Sequence, residues 1–263
     1  IRTTRNIKIA QWNACSLSEQ KSKELSRFAN TNRVDVICIS ELHHRRQVDD
    51  FPNHEADDRY TQAGIFWRDH VNVDVMRIPA IQTFGNDGIM TQIVKIYSEM
   101  ILIHIYIPPD IDRNTRKTYW KQIGKFVEMR DEPILLTGDL NTKDRRFGIH
   151  HDETHKYLDS ILEECKLMNN PERPTRGNNS LDITIANRQM AKEILQWDVH
   201  AELGSDHSPT TIDTTIRRKS TQRIPPSRKR IQRIDTRATT KALEEELQNV
   251  ESKNMGLTAF IDL

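Results

Sequence analysis

The sequence is poor in several features that mark large classes of proteins. It has three cysteines in 263 residues, Cys15, Cys38 and Cys165, which lie far apart and form no CxxC pair. This usage excludes a disulfide framework and favours a reducing compartment. No apolar run approaches the ~20 residues that a membrane-spanning helix needs, which excludes a transmembrane protein. The HExxH motif of zinc proteases and the GxxxxGK(S/T) and GxGxxG motifs of nucleotide-binding loops are also absent.

The composition is that of a polar globular protein. Charged residues make up 29% of the chain and hydrophobic residues 36%, which is far from the extreme of full disorder. The length suits one large domain or two small ones. The chain begins at Ile1 without a methionine or an apolar signal segment, so we expect it to be part of a longer protein.

The formal net charge of +1 conceals a basic segment towards the carboxyl end. Residues 216–241 hold ten lysines and arginines and one acid, whereas residues 1–215 carry a net charge of −4. We therefore predict a domain at 1–215 and a basic arm at 216–263, in which 241–250 can form a short helix. Charge alone leaves open whether the arm binds a partner or is a solvated linker.

Within residues 1–215, strand-like and helix-like patterns alternate. Helices are predicted at 114–130, at 155–168 and after a capping box that runs from Ser16 to Glu19. Many strands with a few interleaved helices predict a mixed, layered α/β domain. The strands are predicted at 6–12, 34–40, 65–67, 71–78, 89–97, 101–107, 133–137, 181–186 and 210–216.

Polar side chains fall at the carboxyl ends of these apolar strands, where α/β sheets gather their ligands. Any one of them can be an ordinary turn or core residue. Their recurrence in one chain favours a shared site. The series comprises Asn13, Glu41, Tyr106, Asp139 and Asn141, with Asp182 inside a late strand and Asp206 and His207 before the last one.

These residue types suit metal-assisted hydrolysis of a phosphodiester. Glu41 and Asp206 offer the oxygen ligands that Mg²⁺ or Mn²⁺ prefers. Asp139 can orient or deprotonate the attacking water. Donors for the charge that develops on the phosphorus oxygens are available from His207, Asn141 and Tyr106.

Six blocks of the sequence together resemble the exonuclease–endonuclease–phosphatase superfamily of metal-dependent phosphoesterases. The resemblance implies a four-layered α/β sandwich, in which two mixed sheets pack face to face with helices outside. The blocks are QWNACS at 11–16, ISELHH at 39–44, HIYIPP at 104–109, LTGDLNT at 136–142, NSLDITI at 179–185 and GSDHSP at 204–209.

The resemblance also implies a metal site at matched positions. Glu41 is then the main Mg²⁺ ligand, with Asn13 nearby and Asp206 beside the metal or its water. Cys15 departs from the pattern, since many repair-type members have Asp or Asn there.

The remaining matched positions imply catalytic roles. Asp139 resembles the residue that activates water, and Asn141 and Tyr106 resemble phosphate contacts. His207 resembles the charge-stabilising histidine, which Asp182 orients through a carboxylate–imidazole pair.

Within the superfamily, the chain is most similar to the endonuclease domain of non-LTR retrotransposon polyproteins. That similarity implies nuclear nicking of one strand of a double-stranded DNA target, with a downstream reverse transcriptase that extends the freed 3′-hydroxyl. The alternatives are a cellular abasic-site repair endonuclease, an inositol-phosphate phosphatase or sphingomyelinase, and a non-catalytic DNA-binding descendant.

Basic side chains are the candidate DNA contacts, although ordinary solvated surface charge is the alternative for each of them. They lie in two loops of the domain and in the arm: Arg145, Arg146, Arg173, Arg176, Arg217, Arg218, Lys219, Arg228, Lys229 and Arg230.

Overall fold

The structure is a computed structural model that describes residues 4–43, 47–56, 62–143, 146 and 156–217. Its α-helices are α1 (Glu19–Asn32), α2 (Pro79–Gln82), α3 (Arg113–Glu128) and α4 (Lys156–Leu162). None of the helices in these ranges is long and apolar enough to cross a membrane. The strands are β1 (Thr4–Asn13), β2 (Val36–Ser40), β3 (Asn53–Ala56), β4 (Ala63–Trp67), β5 (Val73–Val75), β6 (Met90–Ile96), β7 (Met100–Tyr106), β8 (Ile134–Asp139), β9 (Cys165–Leu167), β10 (Asp182–Asn187), β11 (Ile194–Val199) and β12 (Thr210–Arg217).

The strands form two mixed six-stranded sheets. The first has the order β11-β12-β1-β2-β4-β3, and the second has the order β5-β6-β7-β8-β10-β9. One parallel pair lies in the middle of each sheet, β1 with β2 and β7 with β8, while the other neighbours are antiparallel. Parallel neighbours end at the same edge, so each sheet presents two strand carboxyl ends side by side.

Three apolar clusters hold four layers together. One cluster joins α1 to the outer face of the first sheet through Leu25 and Ile37. A second lies between the sheets and includes Ile9 and Leu102. A third joins α3 and α4 to the outer face of the second sheet. Burial of each of these aliphatic side chains stabilises the fold by about 1.5–3 kcal/mol. The predicted four-layered sandwich is confirmed.

The alternation along β1 explains why polar groups lie between the sheets at one edge. Ile7 and Ile9 belong to the cluster between the sheets, whereas Ala10 and Trp12 pack with α1. Side chains alternate faces along a strand, so Gln11 and Asn13 continue the inner face towards the carboxyl end. Both are fully buried.

Two helix predictions need correction. The helix predicted at 155–168 ends at Leu162, and Cys165–Leu167 instead forms β9, because its backbone pairs with β10 at the sheet edge. The cap of α1 is Ser18, whose side chain accepts a hydrogen bond from the Lys21 amide. Ser16, the predicted cap, lies in the preceding turn with a φ of 73°.

The predicted strands are present, with shifted ends. The strand predicted at 71–78 is only Val73–Val75, and β3 and β11 are additional. The last strand continues to Arg217, and Ile216 packs between the sheets. The first two residues of the predicted arm are therefore part of the first sheet, and its remainder, with the helix predicted at 241–250, lies outside the described residues.

Candidate active site

The polar residues predicted from the strand ends meet at one edge of the sandwich. In the first sheet, Asn13 ends β1 and Glu41 follows β2. In the second sheet, Tyr106 ends β7 and Asp139 ends β8. Asp182 begins β10 directly opposite Asp139 in the ladder between β8 and β10. The two sheets thus supply acids to one small volume.

Asn13 connects the two sheets at this edge. Its Nδ2 donates to Glu41 Oε1 at 2.8 Å and to Asp139 Oδ2 at 2.8 Å. Its Oδ1 accepts the Cys15 amide at 2.9 Å, which fixes the direction of the side-chain amide. Tyr106 adds a second donor to Glu41 Oε1, at 3.2 Å. Asn13 is therefore a buried bridge between two carboxylates.

Asp139 is held in place by its neighbours in the chain. Gly138 has a φ of 148°, and its backbone lies against Ile105, whose carbonyl oxygen a Cβ would meet at 1.8 Å. The Asn141 amide donates to Asp139 Oδ1 at 3.0 Å. Burial, together with the charge of Asp182, raises the pKa of Asp139 to about 7. This carboxyl group can therefore accept a proton near neutral pH.

The Asn141 side chain has a different contact from the predicted one. Its Nδ2 donates to the Ile107 carbonyl oxygen at 3.0 Å and so ties the loop after β8 to the loop after β7. A direct contact between this amide group and phosphate stays a prediction.

Asp182 and His207 form a buried carboxylate–imidazole pair. His207 Nδ1 donates to Asp182 Oδ2 at 2.7 Å. Burial alone lowers the pKa of His207, but the charge and hydrogen bond of Asp182 outweigh it and raise the pKa overall. The backbone of His207 is fixed by Trp12 Nε1, which donates to its carbonyl oxygen, and by Ser205 Oγ, which accepts its amide.

Oxygen donors at this edge could hold a metal ion. The buried side chains of Asp139, Asp182 and His207 offer ligand atoms within 4.8 Å of one another. His207 Nδ1 and Asp182 Oδ2 are already bonded to each other, so an ion bound by both would break that pair. Glu41 Oε2, by contrast, accepts no hydrogen bond from the residues that the structure describes, and a carboxylate oxygen suits a hard cation.

The predicted ligand Asp206 is half-exposed and already has a cationic partner. Arg176 lies 2.6 Å from its carboxylate. Burial raises the pKa of the Cys15 thiol, and the negative charges of Glu41 and Asp206 raise it further. The positive charge of Arg176 partly offsets this rise. Cys15, whose amide donates to Asn13 Oδ1, therefore lies beside the predicted metal ligands.

Three of the candidates for DNA binding, Arg146, Arg173 and Arg176, form ion pairs with acids of the domain. Arg173 pairs with Asp198 at 2.7 Å, and Arg146 pairs with Asp159 at 2.8 Å. Their contact with DNA stays a prediction. Arg217 ends β12, and the others lie outside the described residues: Arg145, Arg218, Lys219, Arg228, Lys229 and Arg230.

Sequence reasoning missed two buried residues that organise the site. Gln11 donates to Asp182. The sequence feature that could have indicated it is a polar residue that continues the inward-facing series of Ile7 and Ile9 along β1. Arg116 on α3 donates to the Leu140 and Pro108 carbonyl oxygens and so joins the two loops after β7 and β8. No local pattern marks Arg116, because its partners come from other elements.

Comparison with known proteins places this geometry in a fold family. Residues 100–211 match a family model described as endonuclease-reverse transcriptase. The endonuclease domain of TRAS1, a telomere-specific non-LTR retrotransposon, is similar with a TM-score of 0.64 and 22% identity, over 80% of this chain and 98% of that one. The chain has the fold of the exonuclease–endonuclease–phosphatase superfamily. The family model covers the last four of the six blocks, from HIYIPP to GSDHSP, and the fold agrees with the superfamily resemblance.

Two other solved structures have a similar fold. An AP endonuclease from Archaeoglobus fulgidus gives a TM-score of 0.63 at 15% identity, over 78% of this chain and 98% of that one. A 3′ phosphatase from Neisseria, NExo, bound to a product DNA hairpin, gives a TM-score of 0.60 at 17% identity, over 79% of this chain and 99% of that one. No curated protein matches the sequence.

Replacing Gly138 with alanine should destabilise the domain. The added Cβ would overlap the Ile105 carbonyl oxygen in a backbone conformation that favours glycine, so we expect Gly138→Ala to lower the free energy of unfolding by about 3 kcal/mol or more. The matched control is Gly124→Ala in α3, where the nearest atom is 3.9 Å away and alanine should stabilise by about 0.5–1 kcal/mol. Urea unfolding measures both, and equal values for the two variants would contradict this account of Gly138.

Proposed function

We propose that this protein is a metal-dependent DNA endonuclease that nicks one strand of a duplex target. The observation that carries the proposal is the cluster in which the buried Asp182–His207 pair lies beside Asp139, the ladder partner of Asp182. A proton acceptor, a positively charged hydrogen-bond donor and oxygen ligands for a cation are the groups that phosphodiester hydrolysis requires. The family model and the fold relatives support the same chemistry.

The side chains divide the chemistry between them. Asp139 takes the proton of the attacking water, and its pKa of about 7 suits that role. His207, kept protonated on Nδ1 by Asp182, directs its other ring nitrogen at the phosphate oxygens. Glu41 would hold a Mg²⁺ or Mn²⁺ ion, with Asn13 and Asp206 beside it. When bound, such an ion polarises the phosphoryl group and stabilises the leaving oxygen.

A more specific proposal is that this nuclease is the endonuclease of a retrotransposon. It rests on the family model, whose description pairs an endonuclease with a reverse transcriptase, and on the similarity to the TRAS1 domain. The nick would leave a 3′-hydroxyl that primes reverse transcription by a fused downstream domain, and its chromosomal target would require entry into the nucleus. A repair endonuclease is the alternative, since the archaeal AP endonuclease has nearly the same TM-score.

Loss of single site residues should abolish nicking without unfolding the protein. We expect Glu41→Gln, Asp139→Ala and His207→Ala each to lower the rate on supercoiled plasmid with Mg²⁺ by about 10²–10⁴-fold, because each removes a metal ligand, a base or a donor. A chelator should abolish wild-type nicking.

The matched control for these variants is His70→Ala. His70 also pairs with an aspartate, Asp35, at 2.7 Å. Asp35 precedes β2 and Glu41 follows it, so the two acids lie at different ends of that strand. The control should nick normally. Wild-type rates for both Asp139→Ala and His207→Ala would refute the catalytic assignment.

The preferred DNA substrate distinguishes a retrotransposon endonuclease from a repair endonuclease. We expect comparable nicking of an intact duplex and of the same duplex with one abasic site, with nicks that depend on the surrounding sequence. Sequencing-gel mapping of both substrates gives the answer. A large preference for the abasic duplex would favour the repair endonuclease.

Deleting the basic arm from Arg218 to Leu263 should weaken DNA binding while the nick positions stay the same. The domain at 1–215 has a net charge of −4, and nine of the ten cations in 216–241 would be lost. Each phosphate contact contributes about −0.9 to the slope of log K against log salt, so engagement of half these cations corresponds to about −4. Binding titrations at several salt concentrations measure the change. An unchanged slope would leave the arm as a linker only.

A further inference from the structure

Gln11 is a buried amide whose side chain has one defined orientation. Its Nε2 donates to Asp182 Oδ1 at 2.8 Å, and its Oε1 accepts from Thr210 Oγ1 at 3.3 Å. An ionised carboxylate can only accept hydrogen bonds, so the NH₂ end of the amide must face Asp182. Thr210 is the ladder partner of Gln11 in the first sheet, which places its hydroxyl at the other end.

Both oxygens of Asp182 are thereby engaged on different sides. Oδ2 accepts from His207 Nδ1 at 2.7 Å, while Oδ1 accepts from Gln11. Asp182 is 1% exposed, so water does not replace either donor. Rotation of the carboxylate about its last bond would break both hydrogen bonds at once. The Gln11 amide therefore fixes the plane in which Asp182 receives the imidazole.

The polar character of position 11 follows from this contact. The preceding inward residues of β1, Ile7 and Ile9, pack in the apolar cluster between the sheets. A buried amide there loses its hydration and is tolerated only when hydrogen-bonded. The partner that engages its NH₂ group is Asp182, 171 positions away in the sequence.

We propose that Gln11 is a positioning residue for the hydrolysis assigned to this site. It holds Asp182 so that His207 keeps its proton on Nδ1 and presents its other nitrogen to the phosphate. The inference rests on the proposed function for its effect on catalysis. Its effect on the Asp182–His207 pair does not depend on that function.

The kinetic test compares Gln11→Leu with a buried control of the same kind. The control is Thr91→Val, because Thr91 Oγ1 bonds the Tyr119 hydroxyl at 2.7 Å on the outer face of the second sheet. With a short duplex substrate and saturating Mg²⁺, Gln11→Leu should lower kcat by about 10–100-fold, as loss of a residue that orients a catalytic group commonly does. KM should stay within about twofold, and Thr91→Val should leave kcat unchanged.

The spectroscopic test reads the pair directly and needs no activity. The His207 Nδ1 proton, bonded to a carboxylate, should give a downfield ¹H resonance in ¹⁵N-histidine-labelled protein, identified by its loss in His207→Gln. Gln11→Leu should shift or broaden this resonance, whereas Thr91→Val should not. If Gln11→Leu does not fold, Thr210→Val takes its place. It removes only the hydroxyl that orients the Gln11 amide, so we expect a smaller shift of the same resonance.

The outcomes separate the two proposals. An unmoved resonance in the Gln11 and Thr210 variants overturns the positioning role, whatever the activity. A moved resonance with unchanged kcat overturns its part in hydrolysis. If the wild-type protein does not nick DNA and the resonance still moves, the positioning of His207 is supported and the proposed nuclease function fails.

Discussion

Two carboxylates from opposite sheets can lie close together in this protein because the Asn13 amide stands between them. Glu41 extends from the first sheet and Asp139 from the second, and Asn13 Nδ2 donates to both at 2.8 Å. Buried like charges repel and resist ionisation unless donors compensate them. The contact also joins the edges of the sheets where their parallel strands end. The rest of the site is arranged around this bridge.

Asp182 brings a further carboxylate to the same edge and is compensated in a different way. It lies opposite Asp139 in the ladder, and its charge helps raise the pKa of Asp139 to about 7. His207 and Gln11 together engage both of its oxygens. The imidazole thus serves Asp182 as a charge partner, while Asp139 keeps a carboxyl group that can exchange protons. The two neighbouring acids therefore differ in their donors, since Asp139 accepts from the Asn13 side chain and the Asn141 amide.

The sequence predicts that these residues meet at one edge because strand ends are local features. Glu41 and Asp139 each follow an apolar run whose period marks a buried strand, and parallel neighbours bring such ends together. What depends on distant partners is not predictable in this way. Cys165–Leu167 continues the helical pattern that precedes it and becomes β9 only by pairing with β10. Gln11 is not marked by a strand end either, because its significance comes from Asp182, 171 positions later.

The fold by itself does not choose the substrate. The retrotransposon endonuclease domain, the archaeal AP endonuclease and the Neisseria 3′ phosphatase have TM-scores within 0.60–0.64 of this chain, so their differences must lie in loops carried by a common scaffold. In this chain, two arginines hold the loop between β9 and β10 in place. Arg173 pairs with Asp198 on β11, and Arg176 pairs with Asp206 beside His207. Arg176 therefore ties this loop to the residue that directly precedes His207.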